Sequence, residues 1–255
     1  MATSTARLVL IPFSHFCEKA RWALERAGLA FQEEPHLPGA SAWASRAAGG
    51  NGQTPVCVLG DGRVLGDSGA ILRHAIAAAP GAFGDADLDP TPEASALMGR
   101  LDNELGPHAR RLAYGHFLGQ THAAKAFMRG HAPPRQRWMA GIGFPVLRAT
   151  INKVLKIDPE SVERSAERCD QLFDAVAEHL QAQPMLAGPR FGALDLTFAA
   201  LAGPLVFPDQ GAELRPTLEA LTPQHAGLVE SYRKHPAGRH ALRCYAEQRK
   251  AAQPS

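Results

Sequence analysis

The stretch from Ile11 to Leu24 constrains the fold of this chain more than any other. It completes a continuous apolar run that begins at Leu8, and such a run predicts a strand buried on both faces. A Pro-Phe pair ends the strand, and Ser14 stands where the N-cap of a helix belongs. Apolar residues then recur at helical spacing until Gly28 stops the helix. The sequence thus places a hydroxyl at the positive end of a helix, with the Cys17 thiol three residues on, a geometry suited to holding an anion such as a thiolate.

The following elements extend this unit into an ordered series. Residues 29–34 predict a second strand, and residues 35–51 an irregular segment with at most one helical turn. Asp61-Gly62 lies between two β-rich runs, which is a strong hairpin signal. Ser68 can then cap a helix over residues 69–78. The predicted order is β-α-β followed by β-β-α.

Length, charge and cysteine usage limit the function classes. A chain of 255 residues exceeds the usual single-domain size and predicts two domains. Its net charge of +2 indicates no polyanionic partner, so no nucleic acid is expected. The four cysteines show neither C-x-x-C nor zinc-ligand spacing, so no metal is expected. Without a signal peptide or a long apolar span, the chain is expected to be reduced and cytoplasmic.

The second half of the chain shows helical patterns alone. Residues 80–92 have linker composition, and we place the domain boundary there. A stripe of leucines between residues 97 and 112 marks a long amphipathic helix, which Gly106-Pro107 should kink. Residues 161–180 predict a second long helix with one apolar stripe.

The turn Ser14-His15-Phe16-Cys17, followed by Lys19 and Arg21, resembles the active-site turn of the glutathione S-transferase superfamily. Ser14 stands at the reactive position, as in the serine-type members. The resemblance implies a thioredoxin-like α/β domain at residues 1–82 and an all-α helical domain at residues 90–255. It also implies glutathione as the co-substrate.

The same resemblance implies the residues that bind glutathione. The loop Gln53-Thr54-Pro55-Val56 is similar to the family's cis-proline loop, in which Gln53 meets the glycyl carboxylate and the Val56 backbone pairs with the cysteinyl amide. Asp67-Ser68 is similar to the family's acid–serine pair: Ser68 takes the γ-glutamyl carboxylate and Asp67 its ammonium. Asp102 resembles the helix acid that reaches the partner subunit's glutathione, which implies a homodimer.

Residues 191–200 resemble the folding motif of the family's helical domain. Asp195 supplies the acid that closes a capping box, whereas the cap position holds Gly192. Glycine is a tolerable N-cap without a side-chain acceptor, so half of the box is missing and some stability with it.

The implied activity is that of a glutathione transferase, in which the Ser14 hydroxyl stabilises the glutathione thiolate for attack on a small electrophile. Two alternatives stay open. One is a glutathione-dependent thiol-disulfide oxidoreductase that uses Cys17, and the other is a non-catalytic binding module on the same fold. His15 could be imagined as a base, but its place in a first helical turn predicts a solvent-facing side chain.

One feature belongs to this sequence rather than to the family. No acidic residue lies between Glu104 and Asp158, although the span holds nine Lys and Arg residues interleaved with apolar ones. A solvated face is the usual explanation of a charge run. The apolar residues argue against it here, because they must pack or contact something.

We therefore predict that residues 115–157, which depart from the family pattern, cover the acceptor site with positive potential. Their helices should break at Pro133-Pro134 and at Pro145. The acceptor would be an amphipathic molecule with an anionic group. The residues expected to contact it are Tyr114, Phe117 and Trp138. Attachment to a membrane surface is the runner-up, since basic amphipathic helices also do that.

Overall fold

A four-stranded mixed sheet organises the first part of the chain. The computed structural model describes residues 5–84, 87 and 90–249. The strands are β1 (Ala6–Leu10), β2 (Phe31–Pro35), β3 (Val56–Val58) and β4 (Val64–Leu65). Their order in the sheet is β2-β1-β3-β4; β1 is parallel to β2 and antiparallel to β3, and β3 is antiparallel to β4. The predicted β-α-β and β-β-α order is confirmed.

Three helices connect and cover these strands: α1 (His15–Arg26), α2 (Ala40–Ala47) and α3 (Ser68–Ala78). Helix α2 is longer than predicted, because residues 35–51 were expected to be irregular with at most one helical turn. Gly39, at φ 91°, turns the chain in a conformation that favours glycine, and the alanine-rich segment after it has high helix propensity.

The described residues from position 90 onward form a succession of helices. The predicted linker contains residues 85, 86, 88 and 89, which lie outside the described residues. The helices are α4 (Pro92–Arg100), α5 (Gly106–Phe117), α6 (Thr121–His131), α7 (Arg137–Ala140), α8 (Phe144–Leu155), α9 (Pro159–Ala182), α10 (Ala193–Val206), α11 (Pro223–Lys234) and α12 (Pro236–Gln248). The fold class, a thioredoxin-like α/β part followed by a largely helical part, is as predicted.

A π-helical turn separates α4 from α5, next to the Gly106-Pro107 pair where a kink was expected. Residues Leu101–Leu105 form a π-helical turn that leads directly into Gly106. Pro107 lacks a backbone N–H and cannot continue the normal helical bonding, so the helix widens where the sequence predicted an interruption. Helix α5 therefore leaves the turn along the side of α1, which positions the site described below.

Helix α10 forms the centre of the largest apolar cluster. Thirteen of its residues are buried, so it is surrounded on all sides. The cluster also takes Trp22 from α1 and Leu72 from α3, which joins the helical part to the sheet part in one core. Among the described residues, no helix is long and apolar enough to span a membrane.

A second apolar cluster lies under helices α6, α7 and α8, which we call the cover helices. Its members include Phe144, Leu147 and Ile151 from α8 and Leu37 from the loop after β2. The Leu37 N–H also donates to Oε1 of Gln136 at 2.7 Å. The cover helices are thus packed onto the loop after β2. The predicted break at Pro133-Pro134 is confirmed, whereas Pro145 lies in the first turn of α8, where its fixed φ is well tolerated.

The first turn of α10 is capped in part by a residue from elsewhere in the chain. Asp195 accepts from the Gly192 N–H at 3.2 Å, as the motif requires. The carboxylate of Asp87 accepts from the Ala193 N–H at 2.9 Å and from the Gly84 N–H at 3.0 Å. Asp87 therefore satisfies a helix N–H group that a Gly192 side chain cannot reach. Gly192 supplies no side-chain acceptor, as expected, but a distant residue, Asp87, caps a neighbouring N–H of the first turn.

Candidate functional site

The site is built around the N-terminus of α1. Ser14 is the N-cap residue, in extended conformation, and its hydroxyl makes no hydrogen bond to the helix backbone. Its backbone is fixed on both sides: Ser14 N donates to Ile11 O at 3.0 Å, and Glu18 N donates to Ser14 O at 2.8 Å. The first N–H groups of a helix have no partner within it. A rigid backbone thus presents a hydroxyl and a positive helix end at one place.

Cys17 lies one turn below Ser14 and is fully buried. The Ile11 N–H points at its sulfur at 3.4 Å, and the side chains of Ser14 and Thr54 also approach it. Burial raises the pKa of the Cys17 thiol, and the hydrogen bonds offset only part of that effect. Cys17 is therefore a protonated, enclosed thiol at neutral pH.

The loop before β3 lies against the same turn. The Thr54–Pro55 peptide bond is cis, as the resemblance implied. Val56 is buried and begins β3, opposite Val9 of β1. The Gln53 side chain is exposed, while its backbone N–H donates to Asn51 Oδ1 at 2.9 Å. An exposed amide next to a strand end is thus available to a ligand.

The predicted acid–serine pair lies at the N-terminus of α3, but the acid and not the serine caps the helix. Asp67, not Ser68, is the N-cap residue, and its Oδ1 accepts from the Ala70 N–H at 2.7 Å. Ser68 is the first helical residue and is buried. The expectation that Ser68 caps the helix was wrong, because a carboxylate one residue earlier reaches the same N–H groups.

Asp102 lies against this helix end within its own chain. Its Oδ1 is 2.6 Å from Nζ of Lys19. The β-position of Gly69 is 3.2 Å from Asp67 Oδ1 and 3.8 Å from Asp102 Oδ2, so the two carboxylates flank Gly69. Within this chain the buried ammonium of Lys19 holds the Asp102 carboxylate, and the reach of Asp102 towards a partner subunit stays a prediction.

His15 is buried, contrary to the expectation of a solvent-facing side chain. Its Nε2 lies 2.9 Å from Gly106 O, and because a carbonyl accepts, this nitrogen must carry the proton. Burial, and then the positive charge of Arg110, lower the pKa of His15 to about 3. His15 is thus a neutral tie between α1 and α5 rather than an exposed base.

One face of α5 forms a wall beside the N-terminus of α1. Gly106 leaves room for Phe16, since a β-carbon at Gly106 would lie 2.3 Å from the ring. One turn later, the Arg110 guanidinium lies 5.7 Å from the centre of the Phe16 ring. Tyr114, another turn on, is partly buried in the second cluster, and burial raises its pKa to about 12. The three residues follow the i, i+4 spacing of one helix face.

Arg110 carries a positive charge with an incomplete set of partners. Its Nε is buried and has no hydrogen-bond partner in the structure. Burial, the largest effect, lowers its pKa. In the sequence, Arg110 is only one of nine basic residues, and nothing distinguishes it from its neighbour Arg111. Arg111 instead donates to Leu155 O at 2.8 Å and Ser165 Oγ at 3.1 Å.

The cover helices contribute an aromatic wall. Phe13, one residue before Ser14, lies 5.2 Å from Phe127 and 6.0 Å from the His131 ring, measured between centroids. Sequence reasoning missed Phe13 and Phe127 as site residues; their signal was only that both are aromatic. Phe117 contacts Phe127 at 5.7 Å but is itself buried in the second cluster.

Trp138 does not join this wall. Its side chain is exposed, and its ring contacts the turn between α7 and α8, where the β-position of Gly143 lies 3.3 Å from Cζ3. Of the three predicted acceptor residues, Tyr114 lies beside the α1 terminus, Phe117 supports the wall from the core, and Trp138 is on the outer surface. The aromatic pattern could not distinguish an inner from an outer helix face.

A separate polar cluster in the helical part joins Asp195, His240 and Cys244, whose ligand-type atoms lie within 4.8 Å of one another. His240 Nε2 lies 2.8 Å from Asp195 Oδ1 and 3.4 Å from Cys244 Sγ. Asp195 Oδ1 also accepts from the Leu186 N–H, and the Arg243 guanidinium lies 2.9 Å from His240 Nδ1. These hydrogen bonds give the polar atoms of the cluster partners within the protein, and the resulting buried network holds the start of α10 in place.

Comparison with known proteins agrees with this geometry. Residues 8–83 match the family described as glutathione S-transferase, N-terminal domain. No curated protein matches the sequence. Among solved structures, glutathione S-transferase III in apo form is similar over 99% of each chain, with 20% identity and a TM-score of 0.55.

Two bacterial structures are similar to the same extent. One is a glutathione S-transferase from Xanthobacter autotrophicus Py2, with 20% identity, a TM-score of 0.54 and coverage of 96% of this chain and 94% of that one. The other is a theta class glutathione S-transferase from the citrus canker pathogen Xanthomonas axonopodis pv. citri with glutathione bound. It has 20% identity and a TM-score of 0.54, and covers 93% of this chain and 97% of that one. At such identities the likeness establishes the fold.

Proposed function

We propose that this chain, whose residues 8–83 match the glutathione S-transferase N-terminal domain, is a serine-type glutathione transferase. The observation that carries the proposal is the position of the Ser14 hydroxyl at the N-terminus of α1, where it makes no hydrogen bond to the helix backbone. An N-cap serine ordinarily bonds its own helix. This hydroxyl approaches the Cys17 sulfur instead, at the place where the sequence resemblance puts the reactive residue, so it can turn to a ligand without uncapping the helix.

The proposed mechanism is stabilisation of the glutathione thiolate. An ordinary thiol has a pKa of about 8.5, so a few per cent is ionised at neutral pH. The Ser14 hydroxyl donates a hydrogen bond to the sulfur, and the helix end adds positive potential. Together they lower the thiol pKa by roughly one to two units. The thiolate is then a major species near neutral pH and attacks the electrophile.

The two ends of glutathione find partners on either side of the sulfur. The exposed Gln53 amide suits the glycyl carboxylate, and the Val56 backbone suits the cysteinyl amide. At the other end, Asp67 and Asp102 suit the γ-glutamyl ammonium, while Ser68 and the α3 terminus suit its carboxylate. Lys19 and Arg73 lie beside these acids. A cluster with both signs of charge matches a zwitterionic ligand.

The redox alternative places the chemistry on Cys17. Its complete burial and raised pKa argue against it, because a thiol-disulfide enzyme needs an accessible thiolate. The non-catalytic alternative would need no hydroxyl at the reactive position, and the presence of Ser14 at the N-terminus of α1 argues against it.

For the acceptor we propose an amphipathic electrophile with an anionic group. Arg110 supports this, because its partly buried charge lacks a hydrogen-bond partner at Nε and lies beside the α1 terminus. Tyr114, Phe13 and Phe127 supply an aromatic surface for the rest of the molecule. A homodimer stays a prediction from the resemblance, and light scattering at micromolar concentration tests it. A cytoplasmic location stays a prediction from the sequence.

The activity is tested with Ser14→Ala and Cys17→Ala in parallel. Ser14→Ala should lower conjugation turnover about tenfold to hundredfold at neutral pH, since one hydrogen bond to a charged sulfur is lost. Glutathione affinity should change little, because both ligand ends are bound elsewhere. Ultraviolet absorbance of the bound thiolate should titrate at higher pH in this variant.

Cys17→Ala is the matched control and should keep both the turnover and the thiolate titration. If Cys17→Ala abolishes activity and Ser14→Ala does not, the redox alternative replaces the proposal. If the wild-type protein binds immobilised glutathione but turns over no electrophile of a broad panel, the binding-module alternative replaces it.

A further inference from the structure

The outer surface of α7 and α8 exposes an unusual set of apolar side chains. Seven large apolar side chains are exposed in the described part of the chain, and four of them lie between residues 138 and 154. These four are Trp138 (62% exposed), Ile142 (88%), Val146 (72%) and Val154 (71%). Isolated exposed apolar residues are ordinary, but a local concentration indicates an interaction surface.

The four side chains are arranged by the helical geometry. On α8, Phe144, Leu147 and Ile151 face the core, so Val146 and Val154, with Thr150 between them, lie on the opposite face. Trp138 rests on the turn at Gly143, directly before α8. The apolar surface therefore continues across the α7–α8 corner. Packing among the residues that the structure describes leaves it uncovered.

Exposed basic residues accompany these apolar side chains along the same segment of the chain. Arg135, Arg137, Lys153 and Lys156 are exposed there. Residues 105–157 contain no Asp or Glu at all. Exposed salt bridges recorded elsewhere in the structure, such as Arg63 with Asp61 and Lys234 with Glu230, join neighbouring residues of opposite sign. We define the docking face as the four apolar and four basic residues named above; its nearest acidic residues in sequence are Asp158 and Glu160, which follow Lys156.

From these observations we infer that the docking face binds an anionic lipid surface. Aliphatic and indole side chains enter the boundary between headgroups and acyl chains, while Lys and Arg beside them contact the anionic headgroups. The inference is independent of the proposed catalytic activity. The inner side of the same cover helices carries Phe127, which contacts Phe13 beside Ser14, so lipid binding occupies the side away from the site.

Two other occupants fit less well. In a two-fold dimer the same patch would lie on both subunits, which would place eight uncompensated positive charges together. Nucleic acid would match the charge, but four protruding apolar side chains of which three are aliphatic offer little stacking or base-edge hydrogen bonding. An anionic membrane is the partner that matches both the charge and the apolar side chains.

The test is co-sedimentation of the full-length protein with vesicles of phosphatidylcholine alone and of phosphatidylcholine with phosphatidylserine. Binding is expected to the mixed vesicles only. It should weaken between about 0.1 M and about 1 M salt, where the screening length falls from about 10 Å to about 3 Å. Trp138 fluorescence should shift to the blue on binding.

Matched variants locate the contact. Arg137→Glu with Lys153→Glu should lower partitioning at least about thirtyfold, since each basic residue near the surface contributes roughly fivefold. Arg63→Glu with Lys234→Glu, which makes the same change of net charge elsewhere, should lower it much less. Trp138→Ser should weaken binding and remove the fluorescence shift, whereas Trp43→Ser, at another exposed tryptophan, should do neither.

Several outcomes would overturn the inference: no binding to the mixed vesicles at low salt, equal losses in the docking-face and control variants, tighter binding to a nucleic-acid duplex than to vesicles, or dissociation of an oligomer by Trp138→Ser. Thermal unfolding confirms that each variant is folded. Ser14→Ala should bind vesicles like the wild type, so loss of catalysis and loss of lipid binding are separable.

Discussion

The Nζ atom of Lys19 lies 2.6 Å from Oδ1 of Asp102, although the Lys19 side chain has no exposed surface. Burial is the largest influence on Lys19 and lowers its pKa, while the Asp102 charge opposes the shift. Asp102 keeps about a quarter of its side chain exposed. Removing Asp102 and removing Lys19 should therefore change the free energy of unfolding by different amounts.

We expect Asp102→Asn to destabilise the protein more than Lys19→Met. The first change leaves a buried ammonium without its counter-ion, which costs about 3 kcal/mol. The second leaves a carboxylate that water can reach, and its cost should be about 1 kcal/mol. Denaturant midpoints at pH 7 measure both. Equal losses would show that Lys19 is hydrated or neutral in the folded protein.

Acid should weaken the tie between α1 and α5 through His15. Its folded pKa, about 3, is below the ordinary value of 6.5, so the unfolded chain binds more protons between these pH values. The free energy of unfolding therefore decreases as the pH falls below 6.5, and at pH 5 His15 accounts for about 2 kcal/mol of that decrease.

The measurement compares the wild type with His15→Gln, whose amide can still donate to Gly106 O but does not titrate. The stability difference between the two proteins should shift by about 2 kcal/mol in favour of the variant from pH 7 to pH 5. A constant difference over this range would mean that His15 is not the buried, neutral group described above.

A serine at Gly192, the residue type that the family motif favours, should destabilise this protein. A β-carbon there would lie 2.6 Å from Asp87 Oδ2, the atom that already caps α10. Asp87→Ala should cost about 1 kcal/mol for the lost cap. The double variant should be more stable than the sum of the single losses by at least about 0.5 kcal/mol, because the serine then has room to cap. If the losses of unfolding free energy in the two single variants simply add up in the double variant, the serine does not replace Asp87 as the cap.

Local signals in the sequence predicted most of the elements and the α1 end of the site. The apolar run before Ser14, the Asp61-Gly62 hairpin and the interruption before Pro107 each depend on neighbours within a few residues. The strand, the hairpin and the helix interruption that these signals indicate could therefore be predicted without knowledge of the tertiary contacts.

Long-range contacts decided what the sequence could not predict. The cap on α10 comes from Asp87, and the burial of His15 depends on Gly106, 91 positions later. The inward face of Arg110 and the outward face of Trp138 depend on how α5 and α7 pack. The sequence showed which residues are charged or aromatic, but it did not show which of their side chains face the site.

The last prediction concerns Arg110, the charge that faces the site. Arg110→Gln should lower kcat/KM for an electrophile that bears a carboxylate by about tenfold to hundredfold, since a charged hydrogen bond in a partly buried place is lost. A matched electrophile without the carboxylate should lose little. The preference of the wild type for the anionic electrophile should also weaken at high salt.

Arg111→Gln is the control, because Arg111 has the same charge one position along α5 but is bonded to Leu155 and Ser165. It should not change the preference between the two electrophiles, whatever it does to stability. If Arg110→Gln lowers turnover of both electrophiles equally and raises the pKa of the bound thiol, Arg110 acts on the glutathione thiolate instead. In that case the positive wall would assist activation of the sulfur and would not select an anionic acceptor.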